Sequence, residues 1–111
     1  MNVILIKSKA TKAQIKEMLS SLQSYIKVAV DIKLGILAGG GIMHADCEKV
    51  LLDSGSKQAD VWGGDWYPDE KRVEFGSLIN IRPRQNNRAM QVQDPKIQQK
   101  MEEIIRNLLA I

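Results

Sequence analysis

A ten-residue segment, 79–88, concentrates the side chains best suited to hold an anion. An alternating apolar stretch runs into three arginines, which are separated by proline and by amide side chains. Arginine presents five donors in a rigid fork that matches carboxylate and phosphate oxygens, and Asn and Gln add neutral donors and acceptors. The segment therefore predicts an anion-recognition loop. Its candidate ligand-binding residues are Asn80, Arg82, Arg84, Gln85, Asn87 and Arg88.

A structural role for the same arginines stays open at this point. The middle of the chain, residues 43–70, is acidic, whereas the parts on either side of it are basic. The three arginines could pair with those acidic residues, and ion pairs of this kind on a surface stabilise a fold little. Nearby aromatic residues are either stacking platforms for single-stranded nucleic acid, or parts of the core or of a dimer contact. These aromatic residues are Trp62, Trp66 and Tyr67.

A second cluster, residues 38–48, carries the only histidine and the only cysteine of the chain. If a helix begins near His44, Glu48 lies one turn further along, and the two could form an acid–base pair or share a metal ion. Two ligands do not make a metal site, so we predict neither a metal nor another cofactor. Cys47 would need to be a thiolate to act as a nucleophile, and a small apolar residue facing inward explains it better. His44 is therefore the candidate catalytic residue.

Three helices should position these residues. Thr11 and Gln14 have the spacing of a capping box, and Asp94-Pro95 is an N-cap followed by proline at the first helical position. Behind each cap, apolar residues recur at helical spacing, and the first of these stripes extends to Ile26. A shorter helix is predicted over residues 46–54.

Period-two patterns predict five strands. On the last predicted strand, Asn80 falls on the more polar face, and Arg82 follows it on the same side. The glycine run Gly39–Gly41 is predicted as a loop between a strand and a helix, which either presents N–H groups to a phosphate or lets the chain reverse. The predicted strands cover residues 3–6, 27–32, 35–38, 59–66 and 73–81.

The predicted element order is β-α-β-β-α-β-β-α. Because hairpins outnumber strand–helix–strand units, this order favours an α+β fold with a mostly antiparallel sheet of about five strands and helices packed on one face. With 111 residues the chain is long enough for one core, and we expect a single compact domain over residues 1–111.

The composition indicates the cellular compartment in which we expect the protein. The net charge is +3, and a single cysteine allows no intramolecular disulfide, which fits a reducing compartment. No apolar run approaches the roughly 18 residues that a membrane span needs. The first residues become charged too early for a signal peptide. We therefore expect a soluble, cytoplasmic protein with no membrane partner.

Several polar stretches, taken in order, resemble an uncharacterised bacterial and archaeal family of about this length, a domain of unknown function. The resemblance covers nearly the whole chain and implies a prokaryotic, single-domain, cytoplasmic protein, without supplying a mechanism. It also implies that polar residues at the ends of elements converge on a pocket, which adds Asp46, Gln58, Asp60 and Trp62 to the candidates. The stretches are Gly39-Gly40, His44-Ala45-Asp46, Gly55-Ser56 with Gln58, Asp60 and Trp62-Gly63, and Ile79-Asn80-Ile81-Arg82-Pro83 with Asn87-Arg88.

Three hypotheses about function follow. The first is a binding module whose arginine–amide loop contacts phosphates of RNA or an anionic small molecule such as a nucleotide. The second is a small hydrolase or ribonuclease in which His44 is the general acid or base and an arginine stabilises the developing negative charge. The third is a homodimeric interaction protein. The second hypothesis loses this mechanism if His44 and Arg82 do not line the same pocket.

Overall fold

A computed structural model describes residues 3–111, which form three helices and one five-stranded sheet. Three short 3-10 turns lie between these elements. In chain order the elements are β1 (Ile4–Ile6), α1 (Lys12–Leu19), β2 (Ile26–Asp31), β3 (Ile36–Gly41), α2 (His44–Asp53), a 3-10 turn (Gln58–Asp60), β4 (Val61–Tyr67), β5 (Arg72–Glu74), 3-10 turns at Leu78–Asn80 and Pro83–Gln85, and α3 (Pro95–Leu109).

The sheet has the strand order β1-β3-β2-β4-β5, and every neighbouring pair is antiparallel. The predicted α+β class, the antiparallel sheet and the order of elements are confirmed. The β2–β3 hairpin turns as expected, because Asp31 Oδ1 accepts the backbone N–H groups of Lys33 and Leu34, both at 2.9 Å. Gly35 completes this turn with a φ of 72°. No helix of the described residues is long and apolar enough to cross a membrane.

Both predicted helix caps are also confirmed. Thr11 and Gln14 form a reciprocal capping box at the start of α1, and the Asp94 side chain accepts the N–H of Lys96 at the start of α3. Helix α1 is shorter than its apolar stripe, however, because the chain leaves the helix after Leu19 and takes a left-handed conformation at Gln23. The later residues of the stripe belong to the approach to β2.

The helices lie on both faces of the sheet, which differs from the expected packing on one face. Helices α1 and α3 cover the face that carries Val28, Val30 and the two tryptophans, whereas α2 packs on the opposite face. There Ala29 and Ala38 are small enough for the α2 residues to pack closely against the strands. A central strand buried on both faces reads as a continuous apolar run, as Val28-Ala29-Val30 does.

The glycine run is part of β3 and not a loop, so the predicted phosphate loop at Gly39–Gly41 is wrong. Lys27 faces Gly41 and Val28 faces Gly39, which leaves Gly40 as the extra residue of a bulge. Gly40 has a φ of 103°, a conformation that favours glycine.

The last predicted strand also differs, since β5 ends at Glu74 and not near residue 81. After it the chain turns at Leu78–Asn80, where the Ser77 hydroxyl accepts the N–H of Ile79 at 3.2 Å. The prediction that Asn80 and Arg82 lie on one polar face of a strand is therefore wrong. We call residues 75–93 the clamp segment, because it packs across β4 through side-chain hydrogen bonds described below.

Candidate active site

Asn80 fastens the clamp segment to strand β4. Its side chain is completely buried, and its Oδ1 accepts the N–H of Gly63 at 2.8 Å. Its Nδ2 donates to the carbonyl oxygens of Gly63 at 2.9 Å, Met90 at 3.0 Å and Phe75 at 3.3 Å. The clamp segment approaches β4 so closely that a Cβ on Gly63 would lie 2.6 Å from the Cβ of Ser77. Asn80 thus replaces the backbone pairing that a sixth strand would supply.

Asn87 organises the other half of the clamp segment. This buried amide donates to the carbonyl oxygens of Asn80 at 2.8 Å, Ala89 at 2.9 Å and Gln91 at 3.2 Å. Its Oδ1 accepts the N–H of Gln93 at 2.8 Å. Buried polar groups are costly unless they are hydrogen-bonded, so Asn80 and Asn87 satisfy an irregular stretch of backbone that no strand partner reaches.

The Arg82 guanidinium donates its hydrogen bonds to acceptors within the protein. Its Nε donates to the carbonyl oxygen of Ile79 at 2.9 Å, and one terminal nitrogen donates to the carbonyl oxygen of Gln58 at 2.7 Å. The same nitrogen contacts Gln85 Oε1 at 3.3 Å, and the other donates to the carbonyl oxygen of Val61. The fork geometry that suits an anion is used here to join the clamp segment to the start of β4.

Two further contacts hold the Arg82 guanidinium in place. Glu48 Oε2 lies 3.6 Å away, and the guanidinium carbon lies 4.5 Å from the ring centroid of Trp62. Burial lowers the pKa of Arg82 from its ordinary value, and the Glu48 carboxylate opposes that shift. Trp62 itself is 1% exposed, as is Trp66, so both tryptophans are core residues and not stacking platforms.

The remaining candidates of the arginine–amide loop face solvent. Gln85 Nε2 donates to the carbonyl oxygen of Ala59 at 3.0 Å. The guanidinium groups of Arg84 and Arg88 form no hydrogen bond and no ion pair with any other residue of the described range 3–111. The loop therefore splits into a buried structural part and two exposed cations.

The predicted pocket of Asp46, Gln58, Asp60 and Trp62 does not form as one site. Gln58 lines a groove of about 460 Å³ with Arg82 and Glu48, and none of the other three residues lines it. Asp46 lies in the first turn of α2 and Asp60 ends the 3-10 turn before β4.

A different groove lies at the start of helix α2, on the α2 face of the sheet. It encloses about 410 Å³. We call it the α2 groove. Its floor is formed by Tyr25 just before β2, by Lys27 on β2 and by Asp65 on β4. The beginning of α2 and a stretch of the clamp segment form its walls. The wall residues are Met43, His44, Ala45, Gly76, Ser77, Leu78, Ile79 and Met90.

His44 is fixed in the α2 groove by two acceptors. Its Nε2 lies 2.9 Å from the carbonyl oxygen of Gly64 and 3.0 Å from Asp65 Oδ1. The two side chains are 10% and 13% exposed. Because a carbonyl oxygen only accepts, Nε2 carries the hydrogen in the neutral ring, and Nδ1 keeps the lone pair. Nδ1 forms no hydrogen bond within residues 3–111 and is not among their buried unpaired atoms.

The floor of the groove has a row of charges. Lys27 is the cross-strand neighbour of Asp65, which in turn faces Glu74 on β5. In the described part of the chain Lys27 has no ion pair within 4.0 Å, because Asp65 is directed to His44 and Glu74 to Arg72. Lys27 is the one cation that lines this groove.

Tyr67, which lies beside this row, is not an acid–base group near neutral pH. Tyr25 and Tyr67 stack with their ring centroids 4.9 Å apart and an interplanar angle of 8°, and the Arg72 guanidinium covers Tyr67. Burial, followed by the negative charge of Glu74, raises the pKa of Tyr67 to about 12. Tyr67 therefore stays a neutral phenol.

Cys47 does not act as a nucleophile. It is fully buried against the sheet, and its thiol donates to the carbonyl oxygen of Lys27 at 3.5 Å. Burial raises the pKa of Cys47 to about 11, so the thiol stays protonated at neutral pH. Within residues 3–111, no three His, Cys, Asp or Glu side chains assemble into a group that could hold a metal ion.

His44 and Arg82 do not share a pocket. The α2 groove and the groove beside Arg82 are neighbours, and Leu78 and Ile79 contribute to the walls of both. Helix α2 reaches both grooves, with His44 on one side and Glu48, one turn later, on the other. The hydrolase hypothesis therefore loses Arg82 as the group that stabilises negative charge, and Lys27 is the lysine that lines the same groove as His44.

Sequence reasoning missed Asp65 and Lys27. The available signal was the single charge in the strand Val61–Tyr67, whose other residues are apolar, aromatic or glycine. A carboxylate inside such a strand is buried, and a buried carboxylate needs a partner. The histidine at the start of the preceding helix was the candidate partner.

Comparison with known proteins identifies the family. The family model described as "Protein of unknown function (DUF5674)" matches residues 4–108. The chain therefore belongs to this uncharacterised family, which confirms the expected membership of a family of unknown function. No curated protein and no solved structure matches the chain.

Proposed function

We propose that the α2 groove is the active site of a small hydrolase that cleaves acyl esters, with His44 as the general base. The observation that carries the proposal is the anchoring of His44 Nε2 by both Gly64 and Asp65. This contact selects one tautomer and leaves the basic nitrogen, Nδ1, for a water molecule. A general base requires a fixed orientation as well as a lone pair.

The reaction would run through one water molecule. Nδ1 of His44 takes a proton from the water as the water oxygen bonds to the acyl carbon, and the carbonyl electron pair moves onto its oxygen. The Asp65 carboxylate stabilises the imidazolium that forms. When the carbonyl re-forms, the bond to the alcohol oxygen breaks and that oxygen receives the proton from His44. The products are a carboxylic acid, which ionises, and an alcohol.

Lys27 is the group in the groove that suits the negative oxygen. It lies on the floor next to Asp65 in the sheet and has no ion pair of its own in the described chain. A fixed cation near a developing oxyanion lowers the barrier most in a site that excludes water. Because the groove offers one cation and not several, an ester suits it better than the backbone of RNA.

The test is the hydrolysis of p-nitrophenyl acetate and p-nitrophenyl octanoate, corrected for buffer. We expect His44→Ala to lower kcat/KM by about 100-fold or more, which is the usual contribution of a general base. Asp65→Asn should lower it by a smaller factor, since the Gly64 carbonyl oxygen still accepts from Nε2 and keeps the tautomer. Asn107→Ala, an exposed residue of α3, serves as the control. An unchanged rate in His44→Ala, or no hydrolysis by the wild type, would contradict the proposal.

A second function is supported by one observation, the two exposed cations Arg84 and Arg88. Both lie on the clamp segment without partners among residues 3–111, so they are available to phosphate oxygens. We would measure anisotropy of a labelled single-stranded RNA across a salt series. Binding that weakens with salt and is lost in Arg84→Ala/Arg88→Ala would support this function. Absent or salt-insensitive binding would exclude it.

A further inference from the structure

We infer, on the basis of the proposed function, that the acyl group accepted by the α2 groove is an apolar chain of medium length, released as a carboxylate that pairs with Lys27. The inference concerns the class of substrate and not the chemistry at His44. Three features of the groove support it, namely its apolar rim, its single cation and its volume.

The rim of the groove exposes three large apolar side chains. Met43 on one wall is 56% exposed, and Leu78 and Met90 on the other are 70% and 50% exposed. Single exposed apolar residues are ordinary on a protein surface. These three line one groove from opposite sides. An apolar chain lying between the walls would therefore cover all three side chains.

Methionine is a suitable residue for such a contact. Its side chain has no branch, and its thioether adapts to ligands of irregular or variable shape. Met43 and Met90 face the groove from α2 and from the clamp segment respectively. Leu78 adds a third apolar contact from the turn that separates this groove from the one beside Arg82.

The charges on the groove floor determine which charged end group a ligand can carry. The Asp65 carboxylate is held by His44 at 3.0 Å, so Lys27 remains as the group that attracts an anion. One cation beside an apolar rim complements one carboxylate on an apolar chain. A ligand with several phosphates would bring negative charge close to Asp65, which like-charge repulsion disfavours.

The volume sets an approximate size. At about 410 Å³ the groove lies toward the lower end of the roughly 300 to 1,000 Å³ typical of small-molecule sites. Octanoate is therefore a suitable probe, with acetate as the carboxylate that lacks the chain and octanol as the chain that lacks the charge.

The binding experiment uses ¹⁵N-labelled full-length protein, titrated with octanoate below its micelle-forming concentration and followed by amide chemical shifts. We expect shifts at Met43, Leu78 and Met90, and dissociation constants at least 10-fold weaker for acetate and for octanol. Equal binding of acetate and octanoate, or shifts confined to another part of the chain, would overturn the inference.

Two substitutions separate the contributions of charge and chain. Lys27→Gln should weaken octanoate about 10-fold and leave octanol unchanged, whereas Leu78→Ser should weaken both. Leu34→Gln removes another exposed leucine, 60% exposed, from the β2–β3 turn and should change neither affinity. Loss of octanoate binding in Leu34→Gln to the same extent as in Leu78→Ser would contradict a site in the groove.

The outcomes also distinguish this inference from the proposed hydrolysis. Octanoate binding in the groove without any ester hydrolysis would retain the ligand class and reject the hydrolase. Hydrolysis that depends on His44 but is equally fast for acetyl and octanoyl esters, with no octanoate binding, would retain the hydrolase and reject the apolar acyl chain.

Discussion

The clamp segment and the α2 groove contain similar polar side chains, and the protein uses them differently. In the clamp segment, Asn80, Asn87 and Arg82 are bound by the protein's own carbonyl oxygens. In the α2 groove, Asp65 anchors one nitrogen of His44 and leaves the other unpaired within the described residues, and Lys27 has no ion pair there.

The difference shows that residue type alone does not identify a binding site. Arginine and asparagine at the end of a predicted strand suit an anion, but they suit an unpaired backbone equally well, because carbonyl oxygens are also acceptors. What distinguishes the two regions is how much of the hydrogen-bonding capacity remains after folding. By this criterion Asn80, Asn87 and Arg82 of the clamp segment are structural, and the α2 groove is the first candidate for function.

The largest expected effect is the loss of the Asn80 amide. Asn80→Ala removes four buried hydrogen bonds and leaves the N–H and the carbonyl oxygen of Gly63 without their partner, whereas the carbonyl oxygens of Phe75 and Met90 still accept the N–H groups of Val92 and Ser77. Each unsatisfied buried group costs roughly 1–3 kcal/mol, and partial relaxation reduces the sum, so we expect the free energy of unfolding to fall by about 3 kcal/mol. Urea denaturation monitored by tryptophan fluorescence would measure it.

The matched control for this variant is Asn107→Ala, because Asn107 is an exposed asparagine of α3. It should change the free energy of unfolding by less than about 0.5 kcal/mol. If Asn80→Ala were as mild as Asn107→Ala, the clamp segment would not depend on its buried amide, and the contrast between the two regions would fail.

The next largest effect on stability distinguishes Arg82 from the exposed Arg84 of the clamp segment. Arg82→Lys keeps the charge but loses the fork that reaches the carbonyl oxygens of Ile79, Gln58 and Val61, so we expect a loss of about 2 kcal/mol in unfolding free energy. Arg84→Lys, on an exposed side chain, should change it by less than about 0.5 kcal/mol. Equal effects in the two variants would show that Arg82 is not the structural arginine.

The smallest effect concerns the thiol beneath helix α2. Burial raises the pKa of Cys47 from 9.0 to about 11 in the folded protein, so the unfolded chain loses this proton first as the pH rises. Stability is therefore complete below the unfolded pKa and decreases as the pH passes through this range. As the pH rises from about 9 to about 10, we expect the unfolding free energy of Cys47→Ala to fall by about 1 kcal/mol less than that of the wild type.

Equilibrium unfolding at a series of pH values would measure the difference between the two slopes. Tyr67, whose pKa is also raised, contributes equally to both proteins and cancels in the comparison. Identical slopes would show that the thiol ionises as freely in the folded protein as in the unfolded chain.

Local features of the fold were predictable from the sequence. The capping box at Thr11, the N-cap at Asp94 and the turn at Asp31 each depend on side chains within three residues, and each forms as expected. The order of elements follows from similar local signals, because segments of helical and of strand periodicity alternate along the chain and turn residues separate several of them.

Features that depend on distant contacts were not predictable in the same way. Asn80 acts on Gly63, seventeen residues away, and this contact replaces a strand that the alternation of residues 73–81 had predicted. The pairing of His44 with Asp65 depends on α2 lying across β4. His44 was identified as a candidate because it is the only histidine, whereas its partner became visible only in the fold.

The most direct test of the account is the tautomer of His44. Because the chain has one histidine, both ring-nitrogen signals in a long-range ¹H–¹⁵N correlation spectrum belong to that residue. At a pH where the imidazole is neutral, we expect a protonated Nε2 and an unprotonated Nδ1. A ring protonated at Nδ1, or one that averages between both tautomers, would contradict the anchoring by Gly64 and Asp65 and remove the basis for His44 as the general base.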